Sequence, residues 1–106
     1  MSTSEQLGFR ALADPTRRDI LHMLATREMT IAQVSENFQM TRAAVKKHLT
    51  ILNDGGLIHV RIDGRTKVNS LNTDGMKQVL GWFDYFNTFW DDNLAALKAD
   101  IEKDRV

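Results

Sequence analysis

The spacing of apolar residues in the first part of the chain predicts two short helices. The first covers residues 5–13, and the second ends near Thr26. Asp14 and Pro15 separate them, because an aspartate carboxylate caps a helix and proline suits the first helical position. The predicted apolar faces consist of Leu7, Phe9, Leu12, Ile20, Leu21 and Leu24.

A tight connection at residues 39–40 separates two further predicted helices. The first begins at Thr30, whose hydroxyl has capping-box spacing to an amide three residues on, and ends near Phe38. The second begins at a Thr41 cap and ends at the two glycines that follow Asp54, since glycine tolerates the left-handed conformation that closes helices. The buried face of this second helix is predicted to be Ala44, Val45, Leu49 and Leu52.

From residue 58 the apolar period changes from helical to two. Apolar and polar residues alternate over residues 58–63, and Thr66–Leu71 is the predicted return strand. Asp63-Gly64 is a strong signal for a type I′ hairpin turn, in which both central residues have positive φ. The pattern predicts a two-stranded β-wing over about residues 58–71.

The final predicted helix, about residues 73–103, carries two apolar strips. Trp82, Tyr85 and Phe89 form the second strip, on the flank of the first. One strip satisfies a helix that packs on its own domain, so two strips predict that this helix also meets another subunit. The main strip repeats at steps of three and four and consists of Met76, Val79, Phe83, Phe86, Trp90, Leu94, Leu97 and Ile101.

The composition is that of one globular domain, with 106 residues, 42% hydrophobic and 26% charged. The formal net charge is zero, but the charges are unevenly placed. Residues 1–72 carry 10 Lys and Arg against 7 Asp and Glu, whereas residues 73–106 carry 4 against 7. Within residues 41–67 the count is 6 against 2, so a basic segment precedes an acidic helix.

Other protein classes lack the residues that they need. Cysteine is absent, which excludes disulfides, thiolate zinc sites and cysteine nucleophiles. No two histidines have the spacing of a metal-binding helix face, and Asp91-Asp92 is typical of surface charge. No catalytic or cofactor motif is present, so we expect no enzyme, no cofactor and no metal. No apolar run approaches the roughly 20 residues of a membrane span, and no secretory signal is visible, so the expected location is the cytoplasm.

The short helix, the tight turn and the helix after it, about residues 30–54, match a helix-turn-helix. In that geometry the second helix lies in the major groove of DNA. Arg and Lys donate to guanine, alanine contacts a thymine methyl, and a helix N-terminus accommodates phosphate. A basic helix face alone is more often a solvated surface, but the caps and the following wing favour DNA. The candidate DNA contacts are Thr41, Arg42, Ala43, Lys46, Lys47 and Thr50.

Several segments resemble the ArsR family of winged-helix repressors, over about residues 7–101. The Phe89-Trp90 pair followed by Leu94 and Leu97 resembles the branch of that family without metal-binding cysteines. The resemblance implies a mainly α winged helix-turn-helix of about five helices and a two-stranded wing, dimeric through its first and last helices. It also implies a repressor that an effector releases. The matching segments are Asp14-Pro15-Thr16-Arg17-Arg18, Met29-Thr30, Val45-Lys46-Lys47-His48-Leu49 with Leu52, Gly56-Leu57-Ile58 and Gly64-Arg65.

The resemblance also implies roles for individual residues. Arg17 would contact phosphate, His48 would join the DNA face of the recognition helix, and Arg61 and Arg65 would reach DNA from the wing. The dimer interface would contain Leu7, Phe83, Phe86, Phe89, Trp90, Leu94 and Leu97.

Two positions depart from the family pattern. Gln39 stands where the turn often has glycine, and Asn69 stands where the return strand often has an aromatic residue. We therefore expect the turn and the packing of the wing to differ from the family pattern.

We expect one winged helix-turn-helix domain over residues 1–106, acting as a homodimeric, autoregulatory repressor of a palindromic operator. The alternative is a winged-helix protein-interaction module that does not bind DNA. A third possibility, compatible with repression, is an effector pocket between the first and last helices, lined by Phe83, Phe86 and Trp90.

Overall fold

A computed structural model describes residues 3–104, without the side chains of residues 85, 88, 90 and 104. Within that range the fold is the expected mainly helical winged helix-turn-helix, with five helices and a small antiparallel sheet. Its elements are α1 (Thr3–Leu12), α2 (Pro15–Thr26), β1 (Met29–Thr30), α3 (Ile31–Ser35), α4 (Arg42–Asp54), β2 (Ile58–Asp63), β3 (Thr66–Leu71) and α5 (Thr73–Asp104). None of the described helices has the length and apolar content that crossing a bilayer requires.

The core lies between the first four helices and the base of the wing. The positions predicted from helical spacing on α2, α3 and α4 supply most of it, because one face of each short helix turns inward. The largest fully buried side chains are Ile20, Val34, Val45, Leu52, Leu57 and Ile58.

Threonine caps position both helices of the helix-turn-helix. Thr30 Oγ1 accepts from the Gln33 backbone N–H at 3.2 Å, and Gln33 Oε1 accepts from the Thr30 N–H at 2.9 Å, which confirms the capping box. Thr41 Oγ1 accepts from the Ala44 N–H at 3.1 Å. Both caps satisfy backbone donors that have no partner within the helix.

Helix α3 ends at Ser35, three residues before the end predicted near Phe38. The N–H of Asn37 donates to Val34 O, and the N–H of Phe38 donates to Ser35 O, each at 3.1 Å. These bonds span three residues instead of four, so the chain tightens into turns after the helix.

Helix α4 ends in a Schellman motif, as the two glycines predict. Gly56 has a φ of 73°, and its N–H donates to Asn53 O at 3.0 Å. The Leu57 N–H donates to Leu52 O at 3.0 Å, and both leucine side chains are fully buried. This is the bond pattern by which a left-handed residue closes a helix.

The wing has the predicted bounds but belongs to a three-stranded sheet. Strands β2 and β3 pair antiparallel, and β1 pairs with the other edge of β3, giving the order β1-β3-β2. The expectation of a two-stranded sheet was therefore incomplete. A strand of two residues has no apolar period, which is why the pattern of β1 did not predict it.

The hairpin turn differs from the predicted type I′ turn on Asp63-Gly64. Asp63 pairs with Thr66, so the two central residues are Gly64 and Arg65. Gly64 has a φ of 63°, and no described residue other than glycine has positive φ, so Arg65 does not. Glycine at the first central position is the pattern of a type II′ turn.

Asn69 of β3 is 2% exposed and joins β1 to the wing. Its Nδ2 donates to Met29 O at 3.1 Å. A buried amide needs such a partner, and an aromatic ring could not supply this bond. A polar contact at Asn69 therefore links β3 to β1.

Helices α1, α4 and α5 meet at a joint built on close backbone contacts. Asn72 caps α5, since its Oδ1 accepts from the Gly75 N–H at 3.1 Å, while its Nδ2 donates to Gly56 O at 2.8 Å. A β-carbon added to Gly75 would overlap that same Gly56 O, and one on Gly8 would lie 2.7 Å from Val79 Cγ2. The joint sets the direction in which α5 leaves the domain.

Candidate DNA-binding surface

The recognition helix α4 exposes one polar face and buries the other. Val45, Leu49 and Leu52 are buried, which fixes the rotation of the helix. Of the predicted contacts, Thr50 turns back on the helix, because its Oγ1 donates to Lys46 O at 2.9 Å. The predicted DNA contacts at the start of α4 are all exposed: Thr41, Arg42, Ala43, Lys46 and Lys47.

Two grooves separate α4 from the wing, and both are lined by basic residues. The groove near the wing tip has a volume of about 320 Å³ and is lined by Arg42, Lys46, Arg65 and Lys67, among others. The second, of about 130 Å³, is also lined by Lys46 and Lys67, together with Asn53. No acidic residue lines either groove. The structure thus brings the predicted Arg42, Lys46 and Arg65 together.

Lys67 is a member of this surface that the sequence analysis did not select. The signal that could have found it is the period of two along β3, which places Lys67 and the buried Asn69 on the same face. Because Asn69 lines the groove beside α4, Lys67 also faces the recognition helix.

Arg61 lies on the opposite face of the wing and binds a carboxylate there. Its two terminal nitrogens donate to the two carboxylate oxygens of Glu28, one at 2.8 Å. The hydrogen bond from the guanidinium lowers the pKa of Glu28, and the carboxylate raises the pKa of Arg61. Arg61 is therefore not brought to the surface that holds the other predicted wing residue.

Arg17 binds the end of α1 and the recognition helix. Its Nε donates to Ala11 O at 2.9 Å, and a terminal nitrogen donates to Arg10 O at 3.0 Å. Its other terminal nitrogen lies 3.3 Å from Nδ1 of His48. A cation at the carbonyl end of a helix is favourable, so these bonds give Arg17 a place within the protein. The phosphate role expected for Arg17 and His48 stays a prediction.

Asp14 caps α2 and lies beside the contact between Arg17 and His48. Its Oδ2 accepts from the Arg17 N–H at 3.0 Å and lies 3.9 Å from His48 Nδ1. The backbone hydrogen bond from Arg17, together with the nearby Arg17 and His48 side chains, lowers the pKa of Asp14 below its usual 3.8.

The predicted dimer residues divide into two groups. Leu7 and Phe86 are half-buried, and Phe86 packs against Trp82 with ring centroids 4.8 Å apart. Trp90 lies outside the described side chains. The exposed members, each between 46% and 59% accessible, are Phe83, Phe89, Leu94 and Leu97.

Aromatic rings pack together where α1 meets the Trp82–Phe83 part of α5. Phe9 of α1 lies edge-on to Trp82 and Phe83, with centroids 5.5 Å and 5.9 Å apart. Such contacts stabilise aromatic pairs beyond the area that they bury. The effector pocket stays a prediction. Among the described residues, no group of three or more His, Cys, Asp or Glu side chains is placed to hold a metal ion.

Comparisons with known proteins agree with this architecture. The family model described as "Bacterial regulatory protein, arsR family" matches residues 14–60. The transcriptional repressor SdpR of Bacillus subtilis (strain 168) is 33% identical over 86 residues, covering 81% of this chain and 96% of SdpR.

Two solved structures resemble the whole fold. A crystal structure of an ArsR family transcriptional regulator covers 83% of this chain and 97% of its own, with a TM-score of 0.76 and 28% identity. A crystal structure of a possible transcriptional regulator for arsenical resistance covers 88% and 94%, with a TM-score of 0.71 and 34% identity. The likeness therefore extends well beyond the helix-turn-helix.

Proposed function

The chain belongs to the arsR family of bacterial regulatory proteins, and we propose that it represses transcription as a homodimer on a palindromic operator. It is a DNA-binding transcriptional regulator and not an enzyme. Repression follows when a bound dimer covers the promoter. The similarity to a protein named as a transcriptional repressor supports this direction of control. A protein that binds the chromosome of a bacterium acts in the cytoplasm.

One observation carries the proposal: a single surface gathers basic residues from α4 and the wing without a carboxylate in the grooves between them. Such a surface attracts the phosphate backbone, which supplies most of the affinity of DNA-binding proteins. The exposed side chains at the start of α4, foremost Arg42, Ala43 and Lys47, would then read base edges.

The apolar surface of α5 supports the proposal of a dimer. Phe83, Leu94, Leu97 and Ile101 are exposed along one side of this 32-residue helix. Burying exposed leucine and phenylalanine against a second copy is favourable by about 25 cal/mol per Å² of apolar area. A twofold axis along α5 would present two copies of α4 to major grooves about one helical turn apart, hence the palindrome.

Charge supports the same arrangement. The segment 73–106 carries 4 basic against 7 acidic residues, and residues 73–104 of it form α5. Negative charge near the dimer axis repels DNA less than negative charge beside the recognition helix, because exposed charges are screened within about 10 Å.

Fluorescence anisotropy tests the proposal directly. A labelled duplex from the region upstream of the gene is titrated with the protein at 50 and 200 mM salt, beside a scrambled duplex of equal length. We expect nanomolar binding to the native duplex, clear preference over the scrambled one, and a steep loss of affinity with salt.

Other outcomes separate the alternatives. Equal, salt-sensitive binding to both duplexes would contradict autoregulation and would indicate a DNA-binding surface without sequence preference for this region. No binding by a folded dimer at either salt concentration would favour the protein-interaction module. A reporter gene behind the upstream region then tests repression, since deleting the regulator should raise expression.

A further inference from the structure

We propose that Lys67 of the wing and Lys46 of α4 of each protomer together form a binding site for one backbone phosphate of the DNA. Arg61 is not part of this site. This inference rests on the proposed function and deepens it, because it assigns a phosphate contact to a residue that neither the family pattern nor the apolar spacing indicated.

The strand register separates the two wing cations. Residues directly opposite each other in an antiparallel pair lie on the same face of the sheet. Lys67 pairs with Ile62, whereas Arg61 pairs with Val68, one step along each strand. Since successive residues of a strand point to opposite faces, Lys67 and Arg61 lie on opposite sides of the wing.

The face that carries Lys67 is the face toward the recognition helix. Lys46 and Lys67 line both grooves between α4 and the wing, and they are the only charged residues that the two linings share. Arg42 and Arg65 line the groove near the tip as well. Four cations thus surround one cavity of about 320 Å³ without a carboxylate in its lining.

The pair of Lys46 and Lys67 suits a phosphate better than a base edge. Like charges gathered in one place repel, and an anion between them removes the repulsion. Lysine acts as a flexible point charge, which matches a phosphate group, whereas a base edge calls for donors in fixed directions. The groove also lies between helix and wing, away from the outer side of α4 that carries Ala43 and Lys47.

The ion pair with Glu28 keeps Arg61 out of the phosphate-binding site. The carboxylate binds both terminal nitrogens of Arg61 and neutralises its charge. A bidentate pair of this kind fixes the guanidinium on the far face, so a phosphate would have to displace a carboxylate to reach it.

The salt dependence of DNA binding by single and double variants tests the proposed phosphate-binding site. The variants are K46A, K67A, R61A and the double variant K46A/K67A, with K77A as a matched exposed lysine on α5. Each is titrated with the native and the scrambled duplex over 50–200 mM salt. The exposure of all four side chains keeps the fold intact, and circular dichroism melts check this for each variant.

We expect K67A to weaken binding about fivefold or more on both duplexes equally, because a phosphate contact is independent of sequence. R61A and K77A should change affinity by less than about twofold. The homodimer has two such sites, so the double variant should lower the slope of log K against log salt by about 1.8, that is about 0.9 for one phosphate in each protomer. K67A should also have a smaller effect when Lys46 is already replaced, since the two lysines share one anion.

Three results would overturn the inference: R61A weakens binding as much as K67A does, K67A changes the preference between the duplexes, or the double variant lowers the slope by about 3.6, the value for two phosphates in each protomer. Failure of the proposed function is a separate outcome, because it shows in the wild-type protein as equal binding to both duplexes. Even then, the scrambled duplex reports whether Lys67 and Lys46 hold a phosphate.

Discussion

Arg17 and His48 are in contact, with a terminal nitrogen of the guanidinium 3.3 Å from the imidazole Nδ1. Arginine is always a donor, so Nδ1 of His48 is the acceptor in this contact. The contact ties the corner between α1 and α2 to the recognition helix. The position of α4 relative to the rest of the domain therefore depends on a residue 31 positions earlier in the chain.

Replacing Arg17 by alanine should destabilise the fold. The R17A variant loses donors to Ala11 O, Arg10 O and His48, and we expect the free energy of unfolding to fall by roughly 2 kcal/mol, the range for hydrogen bonds from a charged group. Urea denaturation measures this. R18A is the control, because Arg18 makes one exposed bond, to Leu12 O. Unchanged stability in R17A would return Arg17 to the phosphate role that the family resemblance implies.

Asp14 makes stability depend on pH in acid. Its pKa is lowered in the folded protein, so the carboxylate stabilises the fold above its usual pKa of 3.8 and loses this effect as the pH falls through the lower folded value. The variant D14N keeps a side chain that can cap α2 but has no charge at this position. We expect the difference in unfolding free energy between wild type and D14N to shrink as the pH falls below 3.8. A difference that stays constant down to the lowest pH at which both proteins fold would contradict the lowered pKa.

Gly75 and Gly81, six residues apart on α5, should respond to alanine in opposite directions. A β-carbon at Gly75 would overlap Gly56 O, so the backbone at Gly75 or at Gly56 must move. We therefore expect G75A to lose at least about 2 kcal/mol of stability. Gly81 has nothing within 4 Å of an added β-carbon, so G81A should gain about 0.5–1 kcal/mol from helix propensity. Thermal melts compare them. A G75A variant as stable as wild type would mean that α5 can leave the domain in another direction.

The apolar strip of α5 should control the oligomeric state. Leu97 is 56% exposed, and a glutamate there would place a charge in the proposed interface. We expect L97E to shift the protein from dimer to monomer in sedimentation velocity at micromolar concentration. A99E is the control, since about 200° of helical rotation place Ala99 on the opposite side of α5. Equal behaviour of both variants would place the dimer interface elsewhere.

Local signals predicted the elements well. The ends of α2, α4 and the wing strands lie within one residue of the predicted bounds. A cap or a glycine with positive φ acts over three or four residues, so its effect is present in the sequence around it. The end of α3 and the turn at Gly64 differ because several local bond patterns are compatible with the same few residues.

Period, caps and charge are properties of neighbouring residues, so the sequence predicted the winged helix-turn-helix, its basic segment and its acidic last helix. Tertiary packing, in contrast, determines which cations line the groove between α4 and the wing. Arg17 and Arg61 bind groups brought close by folding, with Glu28 33 positions from Arg61. Lys67 joins Lys46 because β3 pairs with β2 and turns one face toward α4. A long-range partner leaves no periodic trace in the sequence, so the availability of a charged side chain follows from packing alone.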